Sequence, residues 1–252
     1  MKTKTFLFFL LSGISFAALG QDDTVTISGR VTDFDGNPID SAVVLLTHAN
    51  FDTAFETYSD PDGYYTLSGV KKGRYATMYA LRNEEYPREN AVPKADMRLE
   101  FWGWNIIADR DMTIDARYHK LELYGTTVFE QHGGYPAMFI YTRPMSVTRY
   151  ISYDELFLDK AQMEGNDTDI SVLPEYFDVE VFADGEPLEV YSVQPVEEYV
   201  GETAHQFGYL IQTSRPKQRT DKPYIVFRVV ATNREYDEKG ENIYFYELKN
   251  YE

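Results

Sequence analysis

The chain has 252 residues, a formal net charge of −17 and no cysteine. An acid excess of that size repels phosphate backbones and anionic headgroups, which argues against nucleic-acid binding and against docking on anionic lipid. Without cysteine there is no disulfide framework, no thiol nucleophile and no lipidated cysteine anchor, so the fold must rest on its core alone.

Residues 1–20 read as a signal peptide. Lys2 and Lys4 give a positive start, residues 6–11 are an apolar run too short to span a bilayer, and Ala18 and Gly20 place small residues before Gln21. Cleavage after Gly20 would export the protein to the periplasm or the outer surface of a Gram-negative envelope, and the lack of cysteine fits a bacterial envelope protein. No later stretch reaches the roughly 20 apolar residues of a membrane helix.

From residue 26 the pattern is one of short strands. Ile27, Gly29 and Val31 alternate with Ser28, Arg30 and Thr32, the period of two that buries one strand face. Asp35-Gly36 offers the positive φ of a tight hairpin, and Pro38 follows where no ladder bond is lost. Residues 43–46 are a continuous apolar run. Asp62-Gly63 predicts a second turn, after which Tyr65 and Leu67 alternate with Thr66 and Ser68, and Gly73 precedes Tyr75, Thr77 and Tyr79. These motifs, G-x-V-x-D-x-x-G-x-P-I-x-x-A-x-V and then D-x-D-G-x-Y-x-L and G-x-Y, resemble the carboxypeptidase regulatory-like domain. The resemblance implies a seven-stranded antiparallel β-sandwich related to transthyretin, with a carbohydrate-binding-like fold and no catalytic role of its own. Such modules also open TonB-dependent receptors, but residues 116–252 are expected to be too few for a plug and barrel.

Residues 81–97 read as a polar excursion with Pro87 and Pro93. A domain boundary is placed near residue 116, giving a first domain over 21–115 and a second, β-rich domain over 116–252. Strand candidates there are residues 138–150, 176–182, 188–193, 207–213, 224–232 and 242–248, with hairpins at Ala183-Asp184-Gly185-Glu186 and Asp237-Glu238-Lys239-Gly240. Ser152-Tyr153-Asp154-Glu155 has capping-box form and predicts one short helix ahead of Leu156, Phe157 and Ala161. The expected class is all-β: an antiparallel sandwich followed by a second, sandwich-like antiparallel domain.

Candidate chemistry is sparse. His119 and Glu122 match the H-x-x-E element of zinc carboxypeptidases, and His205 could supply a third ligand, but an odd separation on a strand puts His119 and Glu122 on opposite faces. A zinc metallopeptidase is therefore the remote alternative, and no catalytic, metal or cofactor residue is assigned. No G-x-S-x-G elbow or phosphate-binding glycine motif occurs. No Lys or Arg lies between Lys160 and Arg215, while acids run from Glu164 to Glu202, a stretch whose sharper reading is calcium binding. Asp33 to Asn37 begins like a calcium loop, but its glycine comes too early, and a hairpin accounts for it better. Trp102 and Trp104 alternate on one strand face, with Ile106 extending it. They are either a glycan-stacking platform or an interdomain core. The residues read as structural turns are Asp35, Gly36, Asp62 and Gly63. The expected function is a non-catalytic envelope binding or interaction module whose partner is a polysaccharide or an envelope protein. The alternative is an assembly adaptor of an outer-membrane complex.

Overall fold

The computed structural model describes residues 23–89, 91–131, 133–153, 168–199, 205–217 and 220–248. The segment expected to be a signal peptide, His132, most of the acidic stretch before Asp169 and the helix expected beyond Ser152 lie outside them. No helix among the described residues is long and apolar enough to cross a membrane.

The chain is all-β, built as two sandwich cores on one shared sheet. In the first half run β1 (Thr24–Thr32), β2 (Val43–Thr47), β3 (Thr53–Tyr58), β4 (Tyr64–Lys71), β5 (Gly73–Leu81), β6 (Phe101–Ala108), β7 (Met112–Thr113) and β8 (Ala116–Arg117). In the second run β9 (Leu121–Glu130), β10 (Ala137–Ser146), α1 (Val147–Ser152), β11 (Phe177–Ala183), β12 (Glu186–Leu188), β13 (Val190–Tyr199), β14 (His205–Ser214), β15 (Tyr224–Asn233) and β16 (Glu238–Glu247). An eight-stranded sheet runs β12-β11-β15-β16-β6-β5-β2-β3, so strands from both halves share one ladder. Its central junction is a parallel pairing of β16 with β6, Asn242 opposite Trp102 and Tyr244 opposite Trp104.

Two smaller sheets cover opposite faces of this long sheet. β4-β1-β7, with β8 also on β1, encloses the first core, which includes Ile27, Val44, Leu46, Phe101, Ile106, Ile243 and Phe245. β13-β14-β10-β9 encloses the second, which includes Leu123, Ile140, Ile211, Phe227 and Val229 and is flanked by Tyr244 and Tyr246. Successive side chains of a strand point to opposite faces. Ile243 and Phe245 therefore serve one core while Tyr244 and Tyr246 serve the other. We call these the front and back faces of the long sheet. β7 and β8 run parallel to β1, so the ladders are antiparallel except for β1–β7, β1–β8 and the central junction.

The turns read from the sequence take the expected backbone. Gly36 and Gly63 have φ of +84° and +83°. The Asp60 carboxylate accepts from the Asp62 and Tyr64 amides at 3.0 and 2.8 Å. Asp184 and Gly185 both have positive φ, joining β11 to β12. Two local readings change. The strand expected over 138–150 stops at Ser146, whose hydroxyl caps α1 by accepting from the Arg149 amide at 3.1 Å. α1 ends at Ser152 and was not expected from the sequence. Gly240 is not a turn residue: Glu238 already pairs with Asn233, and a Cβ on Gly240 would lie 2.3 Å from the Leu121 carbonyl oxygen. A strand glycine is needed there because the backbone of β9 crosses β16 in close contact.

At Gly63 a Cβ would also meet the Val31 carbonyl oxygen at 2.5 Å. Gly63→Val is expected to lower stability by about 1–3 kcal/mol or more, combining left-handed strain with that clash. Chemical denaturation of the variant checks this; an unchanged midpoint would contradict the turn's role.

Candidate functional site

The aromatic residues of β6 mark the seam between the two halves. Trp102 and Trp104 share the back face, their rings stacked with centroids 5.3 Å apart. Tyr124 of β9 meets both edge-on at 5.3 and 5.5 Å, Tyr79 of β5 lies 4.8 Å from Trp102, and Phe51 closes its rim at 6.4 Å. Trp102 is 7% exposed. The Trp104 and Tyr79 rings pack on Trp102, so it serves the seam, while Trp104 is partly exposed. Ile106 is on the opposite, front face, packed in the first core beside Gly103. The reason is Asn105, whose φ of +53° breaks the alternation and whose side-chain amide donates to the Phe245 carbonyl at 2.6 Å.

Two carboxyls are buried in the same seam. Glu100, just before β6, is 9% exposed, and Glu122 of β9 is 3% exposed. Glu100 Oε2 and both indole N–H groups are buried without a well-formed hydrogen bond, though the Trp102 N–H lies near enough to both carboxyls to favour their ionised forms. Burial pushes the Glu100 carboxyl up to about 7, with the nearby Trp102 indole and Arg88 pulling the other way. Burial, then the neighbouring Glu100, raises Glu122 well above the ordinary carboxylate range, opposed by Trp102, Arg143 and Arg88. Two carboxylates in one dry pocket repel, so ionising either opposes ionising the other.

The H-x-x-E residues do not form a metal site here. His119 lies in the bend before β9, half-buried, with its carbonyl accepting from the Leu99 amide at 2.8 Å. Burial, then Arg98 and Lys120, lower its pKa. Glu122 points into the seam. His205 is on β14, paired with Glu197 at 2.6 Å and set against the Tyr199 ring. Among the described residues no three His, Asp or Glu side chains gather as a metal set. The Asp33 carboxylate is engaged by the Asp35 and Asn37 amides and the Asn37 side chain, each at 2.8–2.9 Å, as a turn requires.

Sequence reasoning missed a groove on the front face, where the covering sheet ends. Its floor is Asp178, Glu180 and Phe182 of β11, Val230 and Thr232 of β15 and Lys239 of β16; Phe34 and Arg117 form its wall, and its volume is about 550 Å³. The Arg117 guanidinium lies 5.2 Å from the Phe34 ring centre. It is fixed by Glu241, 1% exposed, which accepts from Arg117 Nε and Nη2 at 2.9 and 2.5 Å and from Arg228 Nη1 at 2.6 Å. A buried carboxylate with two guanidinium partners is satisfied, and it anchors the wall to the sheet. No local spacing in the sequence pointed to this site, because its residues come from β8, β11, β15, β16 and the turn after β1.

The seam carboxyls give a pH dependence of definite sign. A carboxyl whose folded pKa is raised binds more protons in the native state, so stability falls as pH rises from the unfolded value near 4.5 through about 7 for Glu100, and continues to fall as Glu122 ionises. The protein is expected to be more stable near pH 5 than near pH 8, by roughly 2–3 kcal/mol from Glu100, with Glu122 acting in the same direction. Glu122→Gln should flatten that slope in denaturation curves taken across the range; an unchanged slope would contradict the coupling.

No curated protein matches the chain. Among solved structures, the major pilin subunit BcpA of Bacillus cereus is similar at 10% identity, covering 88% of this chain and 69% of that one with a TM-score of 0.26. The full-length major pilin SpaD of Corynebacterium diphtheriae is similar at 9% identity, covering 88% and 64% with a TM-score of 0.23. Likenesses this slight decide nothing about this chain. The family comparison is specific: residues 26–81, which carry β1 to β5 and the Asp35-Gly36 and Asp62-Gly63 turns, match the carboxypeptidase regulatory-like domain.

Proposed function

We propose that the protein is a non-catalytic binding module exported to the cell envelope, and that its ligand is a glycan held in the front-face groove. The matched domain is an accessory module in its family, which supports a binding role over catalysis. The groove is within the roughly 300–1,000 Å³ of small-ligand sites. One observation carries the reading: the half-exposed Phe34 ring stands over a floor of acceptors and donors from Asp178, Glu180, Thr232 and Lys239. A ring face suits the C–H face of a sugar, and such side chains suit its hydroxyls. The groove carries charge of both signs, Asp178 and Glu180 on β11 against Lys239 and Arg117, with Thr232 between Asp178 and Lys239, which favours a neutral polyhydroxyl ligand over a charged one. The tryptophans act as structure in this reading, binding the halves together. A role as assembly adaptor draws separate support from the exposed edge of β13.

Affinity electrophoresis through gels containing neutral polysaccharides tests the glycan reading. The mature protein is expected to be retarded by at least one of them, and Phe34→Ala to abolish the retardation while changing stability by less than about 1 kcal/mol. Retardation that survives in Phe34→Ala, or none in any gel, would count against it.

A further inference from the structure

β13 is the edge of its sheet. It pairs with β14 along its length, from Val190 opposite Thr213 to Tyr199 opposite His205, and its other side pairs with no strand among the described residues. A ten-residue edge presents a row of backbone donors and acceptors. The other edge of this sheet, β9, is covered where it crosses β16 and β6. β13 is not: it carries Tyr191, Val193, Val196 and Tyr199, four of the nine exposed large hydrophobic side chains among the described residues. Two more lie on the same sheet or its loop, Phe129 and Tyr135, and Tyr135 packs edge-on against Tyr191 at 6.1 Å. Exposed apolar side chains concentrated on one free edge mark a contact surface.

The charge of the edge selects its partner. Glu189, Glu197 and Glu198 flank these apolar positions; Glu198 faces Arg143 of β10 at 3.6 Å and Glu197 meets His205, yet neither β13 nor its neighbour β14 holds a lysine or arginine, so the edge stays acidic. Self-pairing of two such edges would bring like charges together, which is destabilising across strands. A basic strand would be attracted instead. Pro195 removes one donor, and the ladder shifts register between Val190 and Ser192. Both features disfavour indiscriminate pairing and restrict the register a partner can take. We propose that the free edge of β13 is a strand-addition site for an extended, lysine- or arginine-bearing segment of a partner protein. Backbone bonds supply affinity and alternate side chains supply choice. The site is separate from the groove and does not depend on glycan binding.

The test uses the mature protein and two pooled libraries of peptides about ten residues long, with Val, Ile, Thr or Tyr at alternate positions. One library carries Lys or Arg at the intervening positions, the other Asp or Glu. Basic members are expected to be enriched, to slow amide exchange at residues 190–199 selectively, and to lose about tenfold in affinity in a Val193→Lys, Val196→Lys double variant that still folds. Three results would overturn the proposal. One is enrichment of no basic member. Another is protection that spares β13. The third is concentration-dependent protection of β13 without peptide, which would make a second copy of this chain the occupant.

Discussion

The parallel pairing of β16 with β6 is the constraint on which the rest of the structure depends. It spans three residue pairs, yet it turns two half-sheets into one eight-stranded ladder. Because each strand offers alternate residues to alternate faces, the junction can feed two cores at once. Ile243 and Phe245 complete the first core while Tyr244 and Tyr246 flank the second. Neither sandwich is then closed by its own strands. A core shared across a junction is buried only while both halves are in place, and this ties their stabilities together.

The polar groups near the junction follow from the same geometry. β9 lies so close over β16 that Gly240 is required, and the Asn242 side chain donates to the Leu123 carbonyl at 2.7 Å. Glu241, one residue earlier and on the other face, receives both guanidinium groups and fixes the groove wall. Glu100 and Glu122 are the exception. They are buried beside indole rings and, among the described residues, form no ion pair, so they resist ionisation rather than lock a contact. A stable junction thus carries one fully satisfied carboxylate and one strained pair, on opposite faces of the same sheet.

The features legible in the sequence are those set by local chemistry. Alternation located β1, β4 and β5 and placed β11 and β15 within a residue, and Asp-Gly pairs located the turns at Gly36, Gly63 and Gly185. Trp102 and Trp104 were rightly put on one face because a period of two needs no tertiary knowledge. What was not legible is non-local or hangs on one dihedral angle. Nothing near Asn105 announces a left-handed residue, so Ile106 was assigned to the wrong face. Gly240 looked like a turn glycine because its real reason, the Leu121 carbonyl, is more than a hundred residues away in sequence. The groove joins Phe34 and Arg117 to β11, β15 and β16, and no local spacing reports such a meeting.

Calorimetric unfolding of the protein tests the shared sheet most directly. One transition, with calorimetric and van't Hoff enthalpies equal, is the result expected if the β6–β16 junction makes the two cores interdependent. Two resolved transitions, one belonging to each half, would contradict it.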